Sequence, residues 1–147
     1  MANPRMTPDA RAAFLADVHV GVLAVAEPGR GPCAVPVWYR YTPGEAIRIT
    51  TSPTSRKARL LRAAGRASLC VQTERLPYQY VSVEGPIEFV ETDVSTEQRV
   101  IAHRYMGEKL GEQYLKSKAF DLSDEVLLLL YPERWWSVDF SQVTLDE

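Results

Sequence analysis

Cysteine and histidine, which supply most zinc ligands and many catalytic nucleophiles and bases, are scarce in this sequence. The chain has two of each among 147 residues. Cys33 and Cys70 are far apart and lack a Cys-x-x-Cys spacing, so we predict neither a zinc site nor a disulfide and interpret both as small core residues. His19 falls in a predicted strand and His103 on a predicted helix, where structural roles are more common than catalytic ones. No Gly-x-Ser-x-Gly or His-Glu-x-x-His motif occurs, so neither a catalytic triad nor a metal site is indicated.

Long hydrophobic runs and a strong net charge are also missing. No stretch approaches the ~20 apolar residues of a membrane span, and residues 1–5 carry no apolar signal-peptide core. We therefore expect a cytoplasmic protein without a membrane partner. A net charge of −2 and a sequence pI near 5.8 argue against a nucleic-acid partner, because nucleic-acid-binding domains carry a basic face. Any chemistry would have to come from an organic cofactor that the protein binds and orients.

The length and composition suit one small domain with its own core. Hydrophobic residues make up 46% of the chain, which is ample to fill a core at this length. No linker, repeat or low-complexity tract divides the sequence, so we expect a single domain over residues 1–147.

Alternating hydrophobicity and turn residues predict strands joined mostly by hairpins, with a few short helices. Pro36 should place its strand at an edge or a bulge, because proline cannot donate to the ladder. Gly65 should cap the second helix. The predicted helices cover about 8–17, 55–64, 92–107 and 112–118, and the strands 18–26, 33–41, 46–51, 67–72, 78–91, 126–131 and 135–140. This pattern predicts an α+β domain built on an antiparallel barrel.

A strand, a short loop and a helix N-terminus follow one another at residues 47–62. Such a junction directs backbone N–H groups and the positive end of the helix dipole at one point. Because the dipole disfavours basic residues in the first helical turn, two of them there suggest a bound anion that compensates their charge. The alternative is an ordinary loop whose basic residues face water. The candidate anion-binding residues are Thr50, Thr51, Ser52, Ser55, Arg56 and Lys57.

Three motifs in a fixed order carry a resemblance to a known family. Ser55-Arg56-Lys57 is followed by an Arg-Ala-Ser strand at residues 66–71 and a Val-Ser-Val-Glu-Gly strand at residues 81–85. This order resembles the pyridoxamine 5′-phosphate oxidase-like superfamily of flavin and deazaflavin oxidoreductases, over about residues 20–140. The resemblance implies an antiparallel split β-barrel with short flanking helices. It also implies a homodimer, with the cofactor in a groove between the subunits and its phosphate held by the Arg-Lys pair.

The resemblance further implies two other contacts with the cofactor. Pro36, Val37 and Trp38 resemble the segment that passes beside the flavin ring, although Trp38 is equally interpreted as a core anchor. Tyr80 stands where FMN-binding relatives carry a glutamine.

Carboxylates at element ends, such as Asp124 and Glu125, are interpreted as solvated.

Two cofactors remain open at this point. Lys57, the Pro-x-Trp strand, the chain length and the excess of arginine over lysine resemble small actinobacterial reductases that bind the deazaflavin coenzyme F420. These features imply hydride transfer between F420 and an unsaturated, planar small-molecule substrate, with Trp38, Tyr78 and Tyr80 as candidate walls. A row of arginines at positions 56, 59 and 62 could follow the anionic tail of F420, or could simply face water.

The alternatives are an FMN-binding, oxidase-like protein and a flavin- or haem-binding module without turnover. Residues 135–139 do not show the tryptophan and arginine pattern that the true oxidase uses with its vitamin substrate. Oxidation of pyridoxamine phosphate is therefore not expected.

Overall fold

A computed structural model describes residues 3–91, 94–117 and 122–145. Three α-helices, seven β-strands and a short 3₁₀-helix at Phe140–Gln142 follow one another along these ranges. The helices are α1 (Pro8–Ala16), α2 (Arg56–Ala64) and α3 (Ser95–Lys116). The strands are β1 (Gly21–Val25), β2 (Cys33–Val37), β3 (Ile47–Thr51), β4 (Arg66–Gln72), β5 (Gln79–Val90), β6 (Val126–Leu130) and β7 (Arg134–Asp139).

Local capping explains where the first two helices begin and end. The Thr7 hydroxyl accepts a hydrogen bond from the Ala10 N–H, and Ser55 does the same for Ala58, both at 3.1 Å. Gly65 ends α2 in the left-handed conformation at φ 72°. The prediction that Gly65 caps the second helix is confirmed.

The third helix bends where the sequence analysis divides it. Gly107 interrupts the helical backbone at φ 78° and ψ 171°, and helical residues resume directly after it rather than at residue 112. The first two residues of the helix predicted over 92–107 lie outside the described residues, and α3 begins at Ser95.

The strands form an antiparallel sheet in the order β2-β1-β4-β5-β6-β3, and β7 also pairs with β5. The 12-residue strand β5 joins the two parts of this sheet, because residues 80–86 pair with β4 while residues 87–90 pair with β6. Beyond β2 the chain reaches β3, where Arg40 and Arg48 exchange backbone hydrogen bonds of 3.0 and 2.9 Å. The sheet thus curls into a split β-barrel of the α+β class, as predicted, with Pro36 on the strand that begins the sheet order.

The barrel interior holds the apolar core. Tyr39, Leu69 and Leu128 are fully buried, and the Tyr39 hydroxyl donates a 2.6 Å hydrogen bond to the Leu15 carbonyl. Cys33 is buried as predicted, whereas Cys70 is half-buried on the outer face of β4 because its neighbours Leu69 and Val71 take the inward positions. Both cysteines are free thiols.

A buried carboxylate fastens α3 to the point where the barrel closes. Glu97 is 8% exposed and accepts two hydrogen bonds from the Arg40 guanidinium, at 2.7 and 2.9 Å. Arg48 lies 3.6 Å from the same carboxylate. Arg40 and Arg48 are also the two residues whose backbones bridge β2 and β3 and close the barrel. One ion-pair cluster therefore holds both the barrel closure and the first turn of α3.

Candidate functional site

The cavity in which the predicted site residues meet is called the main cavity; it measures about 530 Å³ and lies between the barrel and α3. Its volume falls within the range of ordinary small-molecule sites. Five of the ten predicted site residues line it, namely Pro36, Val37, Trp38, Thr50 and Lys57. The remaining wall comes from α3 and from the segments that precede β1 and β6, namely Val20, Gln98, Ile101, Tyr114, Leu115, Leu122 and Glu125.

Trp38 supplies the aromatic wall of this cavity. Its ring stacks on Tyr105, with 5.0 Å between ring centroids and 6° between ring planes, and it packs at an angle against Tyr114 at 5.5 Å. Tyr105 is held in turn, because its hydroxyl donates to the His19 carbonyl at 2.6 Å and accepts from the Tyr39 N–H at 3.0 Å. Trp38 therefore packs against α3 and lines the cavity, and a contact with a cofactor ring stays a prediction.

Lys57 supplies the cation. It lies in the first turn of α2 and is half-buried, and this loss of solvation lowers the pKa of its ammonium group. The neighbouring charge of Glu125 acts in the opposite direction. Lys57 forms no ion pair of 4.0 Å or less with any described residue. Its charge thus faces the cavity without a bonded counterion, which suits an anionic group of a ligand.

Glu125 lies in the same cavity, immediately before β6. Burial raises the pKa of its carboxyl group, while hydrogen bonds from Gln98 and Thr50 and the charge of Lys57 lower it. The Gln98 amide donates to the Glu125 carboxylate at 2.9 Å and to the Leu122 carbonyl at 2.7 Å. The interpretation of Glu125 as a solvated end-of-element carboxylate is wrong, because α3 covers it.

The remaining residues of the predicted anion loop serve the loop itself. Ser55 caps α2 and its hydroxyl donates to the Ser52 carbonyl at 3.0 Å, and the Thr51 side chain is buried. Arg56 is exposed and forms an ion pair with Glu27 in the β1–β2 turn. Arg56 therefore does not line the cavity, and a phosphate contact by this residue stays a prediction.

The predicted arginine row is partly engaged within the protein. Arg62 lies over the Phe89 ring at 4.4 Å and donates to the Pro53 carbonyl at 2.7 Å. Arg59 is exposed to solvent.

Tyr80 and Tyr78 do not share the main cavity. Tyr80 lines a separate cavity of about 420 Å³ beside β7 and the N-terminal segment. Tyr78 lies among exposed apolar residues near the 3₁₀-helix. Glu84 in β5 forms an ion pair with the Arg134 guanidinium at 3.9 Å.

The two histidines have structural surroundings. His19 hydrogen-bonds to the Phe14 carbonyl at 3.0 Å and stacks on the Phe14 ring, and His103 contacts Glu112 at 2.7 Å. Within residues 3–91, 94–117 and 122–145, no cluster of histidine, cysteine, aspartate and glutamate could hold a metal ion. In the same part of the chain, no helix is both long and apolar enough to cross a membrane.

The sequence analysis missed the wall that α3 contributes. Ile101 is an apolar residue of the helix predicted over 92–107, and Gln98 lies one turn before it on the same face. That spacing could have identified Gln98. No comparable signal points to Glu125, because its position depends on how α3 packs over the barrel.

Comparisons with known proteins agree on a family and a fold. A family profile described as pyridoxamine 5′-phosphate oxidase matches residues 7–139. The chain is similar to a solved F420 reductase, at 24% identity and a TM-score of 0.70, over 84% of this chain and 93% of that one. It is similar to an FAD-binding protein from Mesorhizobium loti, at 23% identity and a TM-score of 0.68, over 90% of this chain and 94% of that one. For an FAD- and haem-binding protein from Mycobacterium smegmatis the identity is 18% and the TM-score 0.70, over 93% and 73% of the two chains. No curated protein matches.

Proposed function

Because the chain belongs to the pyridoxamine 5′-phosphate oxidase family, we propose that its main cavity holds a flavin-type cofactor and that the protein is an oxidoreductase. The cofactor would supply the redox chemistry, as hydride transfer to or from the ring of the flavin or deazaflavin. The protein's own residues would bind that ring, orient it and exclude water from it.

A single observation carries this proposal: the half-buried cation of Lys57 and the aromatic wall of Trp38 line the same cavity. A flavin-type cofactor combines a planar ring with an anionic phosphate, so it needs both an aromatic or backbone surface and a positive charge within reach of one another. Thr50 and Gln98 add polar groups to the same walls. Hydrogen bonds that involve a charged partner contribute about 1.5–3 kcal/mol each, so a bond from Lys57 to the phosphate would add substantially to affinity.

Within this class we propose F420 as the cofactor and an unsaturated, planar small molecule as the substrate. The likeness to an F420 reductase supports this choice. The positions of the basic residues support it as well, since Lys57 lies in the cavity while Arg56 and Arg59 lie on the exposed side of the same helix. Those two residues could meet the further negative charges of the F420 tail outside the cavity. The compact monophosphate of FMN, in contrast, would meet one cation in the cavity, Lys57.

FMN is the second candidate, and a cofactor-binding module without turnover is the third. The family itself supports FMN. The module is supported by relatives of the same fold that are named for binding FAD or haem rather than for a reaction. In all three cases Lys57 and Trp38 would have the same roles. Measurements of cofactor affinity and of turnover are therefore needed to distinguish the three candidates.

Fluorescence titration of the apo-protein with F420 and with FMN tests the proposal. We expect tighter binding of F420, with a preference that decreases as salt rises, because surface charges on the tail-binding side are screened. Reduced F420, bound to the protein, should then be oxidised by an added quinone or enone acceptor.

Three results would contradict this assignment. Tighter binding of FMN than of F420 at every salt concentration would favour FMN as the cofactor. Tight F420 binding without oxidation by any acceptor would favour the binding module. Failure of both cofactors to bind would overturn the flavin-type site itself.

A further inference from the structure

The helix α3 has two arms that meet at Gly107: residues 95–106, called the first arm, and residues 108–116, called the lid. We propose that the lid is hinged at Gly107, is held shut by contacts of Glu112 with Arg99 and His103, and controls ligand exchange at the main cavity. The existence of the lid does not depend on the flavin-type site. Its control of cofactor exchange rests on the proposed function.

The two arms of α3 lie side by side, because the chain folds back at Gly107. The Glu112 carboxylate contacts the Arg99 guanidinium, 13 residues away, and the His103 ring, nine residues away. In a straight helix these residues would be about 20 Å and 14 Å apart along the axis, farther than the side chains can reach. These contacts therefore exist only while the lid is folded back on the first arm.

The first arm is fixed independently of the lid. Glu97 binds Arg40 at the barrel closure, through two hydrogen bonds of 2.7 and 2.9 Å. The Arg104 guanidinium donates to the carbonyls of Ala16 and Asp17, at 2.7 and 2.8 Å, which ties the arm to the end of α1. The first arm thus provides a stationary surface against which the lid can open and close.

The lid buries little of its own surface. Of its nine residues, all of which the structure describes, Gly111 alone is buried. A Cβ atom at Gly111 would lie 3.1 Å from the Ala102 carbonyl carbon and 3.1 Å from the His103 nitrogen, so the two arms touch there through their backbones. A helix of nine residues is not stable in water by itself, and segments with few buried contacts open at a low cost in free energy. Contacts such as those of Glu112 therefore have a large share in keeping the lid in place.

Gly107 suits the role of a hinge. Its backbone angles of φ 78° and ψ 171° are readily adopted by glycine alone. The residue is exposed, and a Cβ atom there would meet nothing within 4 Å. Packing therefore does not restrain rotation about this joint, and changes of φ and ψ at a few such positions are enough to move a lid.

The lid covers the main cavity. Tyr114 and Leu115 belong to its wall, and the Tyr114 ring packs on Trp38 with 5.5 Å between ring centroids. Opening of the lid would remove this wall and expose the cavity to solvent. A ligand could then enter or leave at a rate set by how often the contacts of Glu112 break.

Hydrogen exchange of backbone amides in the cofactor-free protein, followed by mass spectrometry at neutral pH, tests whether the lid exists. Glu112→Gln should speed exchange of residues 108–116 at least threefold and leave residues 95–106 unchanged. A few-fold effect is expected because partly exposed ion pairs contribute modestly. Glu108→Gln is the matched control, since Glu108 is exposed on the same arm and forms no ion pair of 4.0 Å or less with a described residue.

Stopped-flow measurements with F420 and with FMN test whether the lid controls exchange. In Glu112→Gln both the association and the dissociation rate constants should rise at least threefold, because a lid that opens more often admits and releases the ligand faster. Loss of a simple binding contact would raise the dissociation rate constant alone. Glu108→Gln should have the rate constants of the parent.

The two measurements separate this proposal from the proposed function. Unchanged hydrogen exchange of residues 108–116 in Glu112→Gln, or an equal increase in both arms, would overturn the lid. Faster exchange of the lid with an unchanged association rate constant would overturn its control of the cavity. If neither cofactor binds the parent, the proposed function fails, and hydrogen exchange still decides whether Glu112 holds a lid.

Discussion

Lys57 is the residue on which the proposed cofactor site depends. Its ammonium group is half-buried, its pKa is lowered by the loss of solvation, and it faces the cavity that Trp38 walls. The folded protein thus keeps a partly desolvated cation in place before any ligand arrives. An anionic ligand would relieve that cost.

We expect Lys57→Ala to weaken binding of F420 or FMN at least tenfold, since a charge-assisted hydrogen bond contributes about 1.5–3 kcal/mol. The melting temperature of the apo-protein should change little, because no ion pair with a described residue is lost. Fluorescence titration and thermal melts measure the two effects. Lys109→Ala, on the exposed part of α3, is the matched control and should bind normally. Equal affinities in Lys57→Ala and the parent would remove Lys57 from the site.

The carboxyl group of Glu125 opposes an anionic ligand whenever it is ionised. Because burial raises its pKa in the folded protein, it is protonated at a higher pH than an exposed glutamate. We expect Glu125→Gln to bind the anionic cofactor several-fold more tightly than the parent at pH 8. The difference should shrink as the pH falls, because protonation makes the parent carboxyl neutral as well.

The same raised pKa has a consequence for stability. An acid whose folded pKa lies above its unfolded pKa destabilises the fold as pH rises through that interval, and below the unfolded pKa the penalty is absent. Titrations and thermal melts of Glu125→Gln and the parent at pH 5 and pH 8 measure these effects. A gain in affinity that is the same at pH 5 and pH 8 would contradict this account, as would a loss at both.

Among the elements, β5 determines the shape of the barrel because it belongs to both parts of the sheet. It passes from β4 and β7 to β6 near Gly85. Here the chain after β6 crosses very close to it: the Tyr131 N–H donates to the Pro86 carbonyl and the Glu133 N–H to the Glu84 carbonyl, at 3.0 and 2.9 Å. A Cβ atom at residue 85 would lie 1.7 Å from the Tyr131 carbonyl oxygen. The glycine of the Val-Ser-Val-Glu-Gly motif is thus required by backbone packing.

Gly85→Ala should therefore destabilise the protein by about 1–3 kcal/mol or more, because the backbone around Tyr131 must move to admit the methyl group. For a chain of this size the melting temperature should fall by at least about 3 °C. Gly31→Ala is the matched control, since a Cβ atom there meets nothing within 4 Å. Thermal melts of the two variants that coincide would show that the barrel accommodates the methyl group.

On the scale of the whole molecule, we propose the homodimer that the family resemblance implies, and an apolar surface at the start and on the outer face of β1 supports it. Val20 is 56% exposed and Val22 is 44% exposed, and Val22 pairs with the half-buried Cys70 in β4. Val20 also lines the main cavity. A second subunit seated on this surface would lie next to the cavity, as expected for a cofactor groove between subunits.

We expect light scattering to give twice the mass of one chain at micromolar concentration. Val22→Glu should shift the protein toward the monomer, because a charge in the centre of a buried apolar contact is costly. Val100→Glu, an exposed valine on α3, is the control and should remain dimeric. A parent protein that is monomeric at this concentration would remove the dimer from the proposal.

The sequence by itself determined the local structure and the class of fold. Thr7, Ser55 and Gly65 mark helix ends through hydrogen bonds and backbone conformations that involve near neighbours in the chain. The two-residue alternation in β5 likewise follows from strand geometry, and it fixes which side chains enter the core. Such features need no knowledge of distant residues. Together with three ordered motifs they were sufficient for the split barrel and the family.

Only the tertiary structure decided which charged residues share a cavity. Arg56 and Lys57 are adjacent in sequence, but successive helical residues point about 100° apart, so packing of α2 on the barrel turns Lys57 inward and leaves Arg56 with Glu27. Gln98 and Glu125 meet Lys57 because Glu97 fastens α3 over the barrel closure. Tyr80 was separated from the other predicted site residues because β7 pairs with that end of β5. Each outcome depends on contacts between residues far apart in the chain, which local sequence patterns do not encode.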